Sequence, residues 1–369
     1  MSKMRYGTFV TTGQPPGMSE GWAFDEAVAH AHAAENLGYR DVWVLEHHFT
    51  PFGLCGDALT LAAYLLGATS TIDVGTAVTV VPLDHPIRLA ERVAMIDHLS
   101  GGRLLFGIGR GDFPREFEAL GRDVSESHLM IREGWEALKG LWAGPYSNDG
   151  RFWPFGQVNT LPKPLSIPYP KAYAAASSPS SVEWAARNGL PLLLLYYLED
   201  EVKRSIVDLH ADVTRECGGD PSLTEHALSC VAHVADTTEQ AQEDVLARYL
   251  WWIKAGGDAI YELPDRPERR EINYGFHYAR RDEAILRGAR DIDVYNVERL
   301  FALNPIGSVD LCVDRIVSKA ELLGVNHIIC GFEGVSERSG VIESMARFMS
   351  EVVPAVEQRQ LVGGEVSVT

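Results

Sequence analysis

Two histidines, an arginine and a group of serines are the residues whose type and spacing could do chemistry. His47 and His48 stand in EHHFTPFG, directly behind the apolar run DVWVL. Arg110 stands in GIGRGD behind LLFGI, and Ser177, Ser178 and Ser181 stand in SSPSS behind AYAAA. An imidazole can hold or move a proton near neutral pH. A guanidinium between glycines can meet a phosphate or carbonyl oxygen, and hydroxyls with free N–H groups at a helix start can cradle an anion. Each group also has a purely structural reading: histidines packed at a strand end, a surface arginine on a tight turn, serines that cap a helix. Spacing alone leaves both readings open.

Spacing does exclude some chemistry. Neighbours on an extended segment point to opposite sides, and EHH lacks the i, i+4 arrangement of HExxH, so no metal site is expected. Gly107-x-Gly109-Arg110-Gly111 lacks the third glycine of GxGxxG and the Lys-Ser/Thr of a P-loop. Its small residues would instead let a flat ligand approach a strand end. Trp251 and Trp252, late in a long helical stretch, read as core or as a ligand wall.

These residues need elements to position them. Strand-like runs occupy 6–12, 41–46, 74–82, 104–108, 171–176, 190–197, 228–235 and 327–332. Helical patterns fall between them, at 24–37, 57–70, 87–99, 125–142, 180–188, 199–217, 237–255, 309–323 and, last, 341–356. Such alternation predicts parallel strands. Eight of them predict an α/β fold of the (β/α)8 TIM-barrel kind, one domain over 1–357 with insertions, and a frayed tail over 358–369. Two stretches break the pattern: a proline-rich segment over 144–170, and an irregular charged one over 256–306, too long for an ordinary connection. In this architecture all the polar phrases lie at the carboxyl ends of strands, where such folds build active sites. That placement predicts an enzyme.

Composition removes other classes. With 33 Lys and Arg against 51 Asp and Glu the net charge is −18. Such a surface repels nucleic acid and anionic membranes, and no partner of either kind is expected. The five cysteines lack CxxC spacing and read as reduced thiols. The opening MSKMRYGTFV carries no apolar signal core, and no apolar run approaches the roughly 20 residues that span a bilayer. A cytoplasmic protein is expected.

Several phrases, in one order from about residue 6 to 356, resemble the bacterial luciferases, (β/α)8 flavin-dependent monooxygenases, and their catalytic α subunit most. They are EHHFTPFGLCGD, VGTAVTVVPLDHPIRLAERVAMIDHLSGGRLLFGIGRG, SSVEWAARNGLPLLL, RRDEAILRGARDID, NPIG and HIICGFEG. The resemblance implies reduced FMN delivered by a separate flavin reductase, and O2 adding to it as a C4a-peroxyflavin that oxygenates a small organic substrate. Hydroxylation, epoxidation and Baeyer–Villiger chemistry in secondary metabolism all fit that scheme.

It also implies residue roles. His47 matches the catalytic acid/base, Glu116 stands in place of an acidic residue near the flavin, and Asp112 is a further catalytic candidate. Ala77 and Val78 match a dipeptide, cis-bonded in relatives, under the flavin ring. Arg110, Ser178 and Ser181 match phosphate ligands, Gly109 and Ser177 stand at cofactor-site positions, and Phe113 and Trp252 fall in the substrate pocket. The segment over 256–306 matches a mobile loop that closes over the site. A homodimer is implied through the helices after strands two and three, with Ala58, Ala62, Ala63 and Gly67 as small packing residues and His48 reaching Glu91 of the second subunit.

Three positions depart from that pattern. Gly109 replaces a reactive cysteine, Asp112 a leucine and Ser177 a glutamate, which argues against light emission from a long-chain aldehyde. Competing implications are an aldehyde-oxidising luciferase, a deazaflavin-dependent oxidoreductase on the same barrel, and a non-catalytic flavin-binding subunit.

Overall fold

A computed structural model describes residues 4–261, 282, 285, 286, 289, 291–335 and 337–366. Strands and helices alternate from the start: β1 (Arg5–Val10), α1 (Glu20–Leu37), β2 (Asp41–Val44), α2 (Ala58–Ala68), β3 (Asp73–Thr76), β4 (Thr79–Val80), α3 (Pro86–Ser100) and β5 (Leu104–Gly109). There follow α4 (Pro114–Ala119), α5 (Ser127–Ala143), a hairpin of β6 (Tyr146–Asn148) and β7 (Phe155–Val158), β8 (Ala172–Ala174), α6 (Pro179–Arg187), β9 (Leu193–Leu194) and α7 (Asp200–Glu216). The last third holds β10 (Ala227–Val231), β11 (His233–Val234), α8 (Thr238–Tyr261), α9 (Ile292–Leu303), β12 (Ile306–Gly307), α10 (Val309–Leu323), β13 (His327–Gly331), α11 (Arg338–Arg347) and α12 (Val353–Val366).

The main sheet is parallel and curled, in the order β4-β5-β3-β2-β1-β13-β10-β9, with β8 added on β5. Its ends meet where Ala174 pairs with Leu192, and the Ala174 N–H donates to the Pro191 carbonyl at 2.9 Å. This curled sheet is consistent with the expected eight-stranded barrel. Both strand faces are covered, so β2 and β5 are buried at every position. Trp43, Leu105, Tyr173, Leu193 and Ile329 pack inside the curl. Val42, Phe106, Leu228 and Ile328 pack outward against the helices.

The amino ends of the strands close on a buried carboxylate. Asp41 accepts from His327 Nε2 at 2.9 Å, Trp43 Nε1 at 2.6 Å and Arg5 Nε at 2.8 Å, and Arg5 also reaches Asp73 at 3.0 Å. Burial alone would raise the Asp41 carboxyl, but these partners outweigh it and hold it at about 2. Gly7 leaves the room: a Cβ there would lie 1.9 Å from Asp41 Oδ1.

Several expectations change. The third strand is broken at Ala77–Val78, which the structure holds as a cis peptide. The expected strand over 190–197 pairs regularly only at Leu193–Leu194. The proline-rich segment contains the β6–β7 hairpin and two cis prolines, Pro162 and Pro168. Helix α8 runs on to Tyr261 and α9 fills Ile292–Leu303, where irregular chain was expected. About half of the segment expected to form a closing loop, residues 262–281 and much of 283–290, lies outside the described residues. The stretch from 358, expected to fray, continues α12 to Val366.

Candidate active site

At the carboxyl ends of the strands lies a cavity of about 640 Å³. His47, Ala77, Val78, Gly109, Arg110, Asp112, Phe113, Ser177 and Trp252 all line it, joined by Phe52 and Tyr196. Its volume suits a drug-sized or cofactor-sized ligand. One wall is aromatic. The His47 ring stacks on Phe113 at 4.5 Å and meets the edge of Phe52 at 5.0 Å. Phe52 lies parallel to Trp252 at 5.1 Å, and Tyr196 stacks on Trp252 at 5.5 Å. Arg110 and Ser177 add polar groups to the lining.

His47 leaves the end of β2 with its backbone N–H donated to Cys55 O at 2.9 Å. Its Nδ1 has no hydrogen-bond partner among the described residues, and Glu116 Oε1 stands 3.4 Å away. Glu116 is buried in the first turn of α4, a helix that Pro114 starts. The same carboxylate oxygen accepts the His48 N–H at 2.8 Å. Thus one buried acid fixes the HH segment and sits within reach of the catalytic-candidate ring. His48 points elsewhere: its Nε2 is unpartnered among the described residues, and burial lowers its basicity.

Glu46 received no role from sequence, yet it organises the same end of the sheet. Its carboxylate accepts from Ala58 N at the start of α2 and from Val80 N on β4, at 3.1 and 3.0 Å. Burial pushes this carboxyl up to about 7 against the pull of those two donors. Glu333 lies just behind β13. It accepts the Thr11 N–H at 2.7 Å, and burial raises its carboxyl. It borders a cavity of about 10 Å³ with Arg248, Tyr249 and Trp252, room for about one water. The signal that could have found both acids is an acidic residue placed at a strand's carboxyl end.

The glycines also make room for the protein's own chain. A Cβ on Gly107 would lie 1.9 Å from Thr76 O, one on Gly109 2.3 Å from Val78 Cγ2, and one on Gly111 2.7 Å from Val80 Cγ1. Atoms of residues 76, 78 and 80 occupy those Cβ positions, while Gly109 and Gly111 still line the cavity. Ser178 and Ser181 also turn inward on each other. Ser178 caps α6 in a capping box, and the two Oγ atoms lie 2.9 Å apart. Ser177 lines the cavity, whereas Ser178 and Ser181 do not.

The luciferase-like monooxygenase model matches residues 4–327. The alkanal monooxygenase alpha chain of the Kryptophanaron alfredi symbiont is 32% identical over 357 residues, covering 96% of this chain and 99% of the relative. The chain belongs to the luciferase-like monooxygenases. It is an enzyme of that flavin-dependent family. The oxygenase component of flavin-dependent trigonelline monooxygenase from Acinetobacter baylyi is 29% identical, covering 92% of this chain and 91% of the relative. Among solved structures, the oxygenating constituent of 3,6-diketocamphane monooxygenase from Pseudomonas putida, in complex with FMN, superposes with a TM-score of 0.75. It is 20% identical and covers 95% of this chain and 98% of its own. An F420-dependent secondary alcohol dehydrogenase superposes at 0.71 with 20% identity, covering 96% and 99%. Neighbours this distant speak for the fold.

For a luciferase-like monooxygenase the cavity fits a flavin. An apolar aromatic wall accepts a flat ring, and Arg110 and Ser177 offer polar groups to a phosphate. Two ring nitrogens at the wall, His47 Nδ1 and Trp252 Nε1, lack partners among the described residues. No helix is long and apolar enough to cross a membrane among the described residues.

Proposed function

We propose that the chain is the oxygenase component of a two-component system, taking reduced FMN from a separate flavin reductase and using O2 to oxygenate an organic substrate. The observation that carries this reading is that one cavity at the carboxyl ends of the strands is lined both by stacked aromatic rings and by Arg110 and Ser177. Bound reduced FMN would supply the electrons that activate O2. Arg110 and Ser177 would hold its phosphate, and Ala77 and Val78 would pack against its ring. His47 holds a proton on Nδ1 toward Glu116, which leaves Nε2 to exchange one with the reacting groups. Asp112 places a carboxylate in the cavity, which suits a substrate bearing a polar group better than a fatty chain. Aromatic packing by Phe52, Phe113 and Trp252 favours a flat apolar body.

The test mixes the anaerobic protein and chemically reduced FMN with oxygen, and follows the flavin spectrum. Expected is protein-dependent delay before oxidised flavin appears. Reoxidation at the rate seen in buffer, with oxidation of a reduced deazaflavin instead, would transfer the site to hydride chemistry. Binding without either reaction would make the chain a flavin carrier.

The active form is proposed to be a homodimer through α2 and α3. Glu91, Met95 and Leu99 share one outward stripe of α3, and Tyr64 and Gly67 are exposed on α2. Ala58 and Ala62, expected at the interface, instead face the subunit's own core. His48 is proposed to pair with Glu91 of the second copy. The double variant His48→Cys, Glu91→Cys should form an intersubunit disulfide under mild oxidation. A monomer by light scattering would contradict the dimer.

A further inference from the structure

Behind the aromatic wall lies the small cavity of about 10 Å³, and Trp252 borders both it and the large one. Arg248, Tyr249 and Trp252 reach it from one face of α8, where residues three and four apart are neighbours. Glu333 reaches it from the end of β13. Three of these side chains bring polar atoms with no hydrogen-bond partner among the described residues: Arg248 Nη1, Tyr249 Oη and Trp252 Nε1. All three residues are more than nine-tenths buried, so leaving such atoms unpaired is costly. Arg248 is fixed in place: its Nε donates to Glu333 O at 3.3 Å, and its guanidinium lies over the Trp251 ring at 4.7 Å. The Glu333 carboxylate accepts the Thr11 N–H at 2.7 Å. With about four lone-pair sites a carboxylate has capacity left for the cavity. One water, for which there is room, can accept from Trp252 Nε1 and Arg248 Nη1 and donate to Glu333 and Tyr249 Oη. It would partner every one of the three orphaned groups.

We propose that the small cavity binds one ordered water that ties Trp252 Nε1 to Glu333, Arg248 and Tyr249, and that Glu333, acting through it, is a positioning residue for the aromatic wall. The effect passes through Trp252, which stacks on Phe52 at 5.1 Å and on Tyr196 at 5.5 Å; all three rings line the large cavity. An indole held at its N–H edge presents a fixed surface to a flat ligand, and one left to tilt must be ordered when the ligand binds. Glu333 does not line the large cavity, so it acts without touching the ligand. The ligand's identity as a flavin rests on the proposed function; the water site does not.

The experiment uses the full chain with isotope-labelled tryptophan. The indole N–H signals are recorded by NMR, and the signal lost in Trp252→Phe is that of Trp252. Glu333→Gln keeps the size of the side chain and, with its carbonyl on the Thr11 N–H, turns an amide N–H toward the water in place of an acceptor. At mildly alkaline pH this variant should move the Trp252 signal and weaken binding of FMN, read from quenching of flavin fluorescence, about threefold to tenfold. In a Trp252→Phe background Glu333→Gln should weaken FMN no further, because a phenyl ring has no N–H to hold. Tyr249→Phe removes another partner of the water and should move the same signal, which keeps the test open if Glu333→Gln does not fold. A Trp252 signal unmoved by these substitutions, or effects of Glu333→Gln and Trp252→Phe on affinity that simply add, would overturn the water-held wall. Should the parent itself fail to bind FMN, the flavin reading falls, and the indole signals still decide the water site.

Discussion

The two ends of the curled sheet use charge in opposite ways. At the amino ends, Asp41 is wholly buried and saturated by three donors, from His327, Trp43 and Arg5. At the carboxyl ends, Trp252 Nε1 has no hydrogen-bond partner among the described residues, His47 Nδ1 faces Glu116 only at 3.4 Å, and Glu46 carries a raised carboxyl. A saturated network stabilises and holds still. An unsaturated one costs folding free energy but leaves groups available to a ligand. The molecule thereby separates a stabilising end from a working end, as parallel α/β folds commonly do.

Substitutions can break this division. Asp41→Ala should have the largest effect, about 3–5 kcal/mol of stability measured by denaturant unfolding, because it leaves His327 buried without its acid and half-buried Arg5 with Asp73 alone. Flavin affinity of the folded fraction should not change; a stable Asp41→Ala protein that cannot bind flavin would erase the division. His47→Ala should behave inversely, lowering product formation about 10²–10⁴-fold while melting temperature and flavin binding hold. Arg110→Ala should weaken flavin binding by about 1.5–3 kcal/mol, the loss of a charged hydrogen bond, read by equilibrium titration.

The smallest effects are in pH dependence, and they have opposite signs. Asp41 sits at about 2 against an ordinary 3.8, so the unfolded chain binds the extra proton. Its contribution is present above about 3.8 and is lost as pH falls toward 2. Glu46 sits at about 7 against 4.5, so the folded chain binds the extra proton. Its contribution is present below 4.5 and is lost as pH rises through 7. Glu46→Gln should flatten the decline on that neutral side and leave the acid limb unchanged. A variant whose unfolding profile matches the parent from pH 4 to 8 would remove Glu46 from the account.

The alternation of apolar runs made the fold class legible, because buried parallel strands and their helices leave a strong period. Site placement was legible for the same reason: His47, Arg110 and Ser177 follow such runs and do line one cavity. What sequence could not show was contact. Gly109 reads as open space until Val78 is found across from it, and Ser178 and Ser181 read as ligands until they are seen bonded to each other. Glu46 was invisible because its partners, Ala58 and Val80, are 12 and 34 residues away. Short pairing such as β9, two residues long, leaves no period to read.

The central claim is that the carboxyl end of the sheet holds reduced FMN through Arg110, with His47 beside the reacting groups. Anaerobic titration of reduced FMN into the parent, Arg110→Ala and His47→Ala proteins tests it most directly. The account predicts saturable binding to the parent and His47→Ala with similar affinity, and binding to Arg110→Ala weaker by about tenfold or more. Equal affinity for all three, or no saturable binding to the parent, would contradict it.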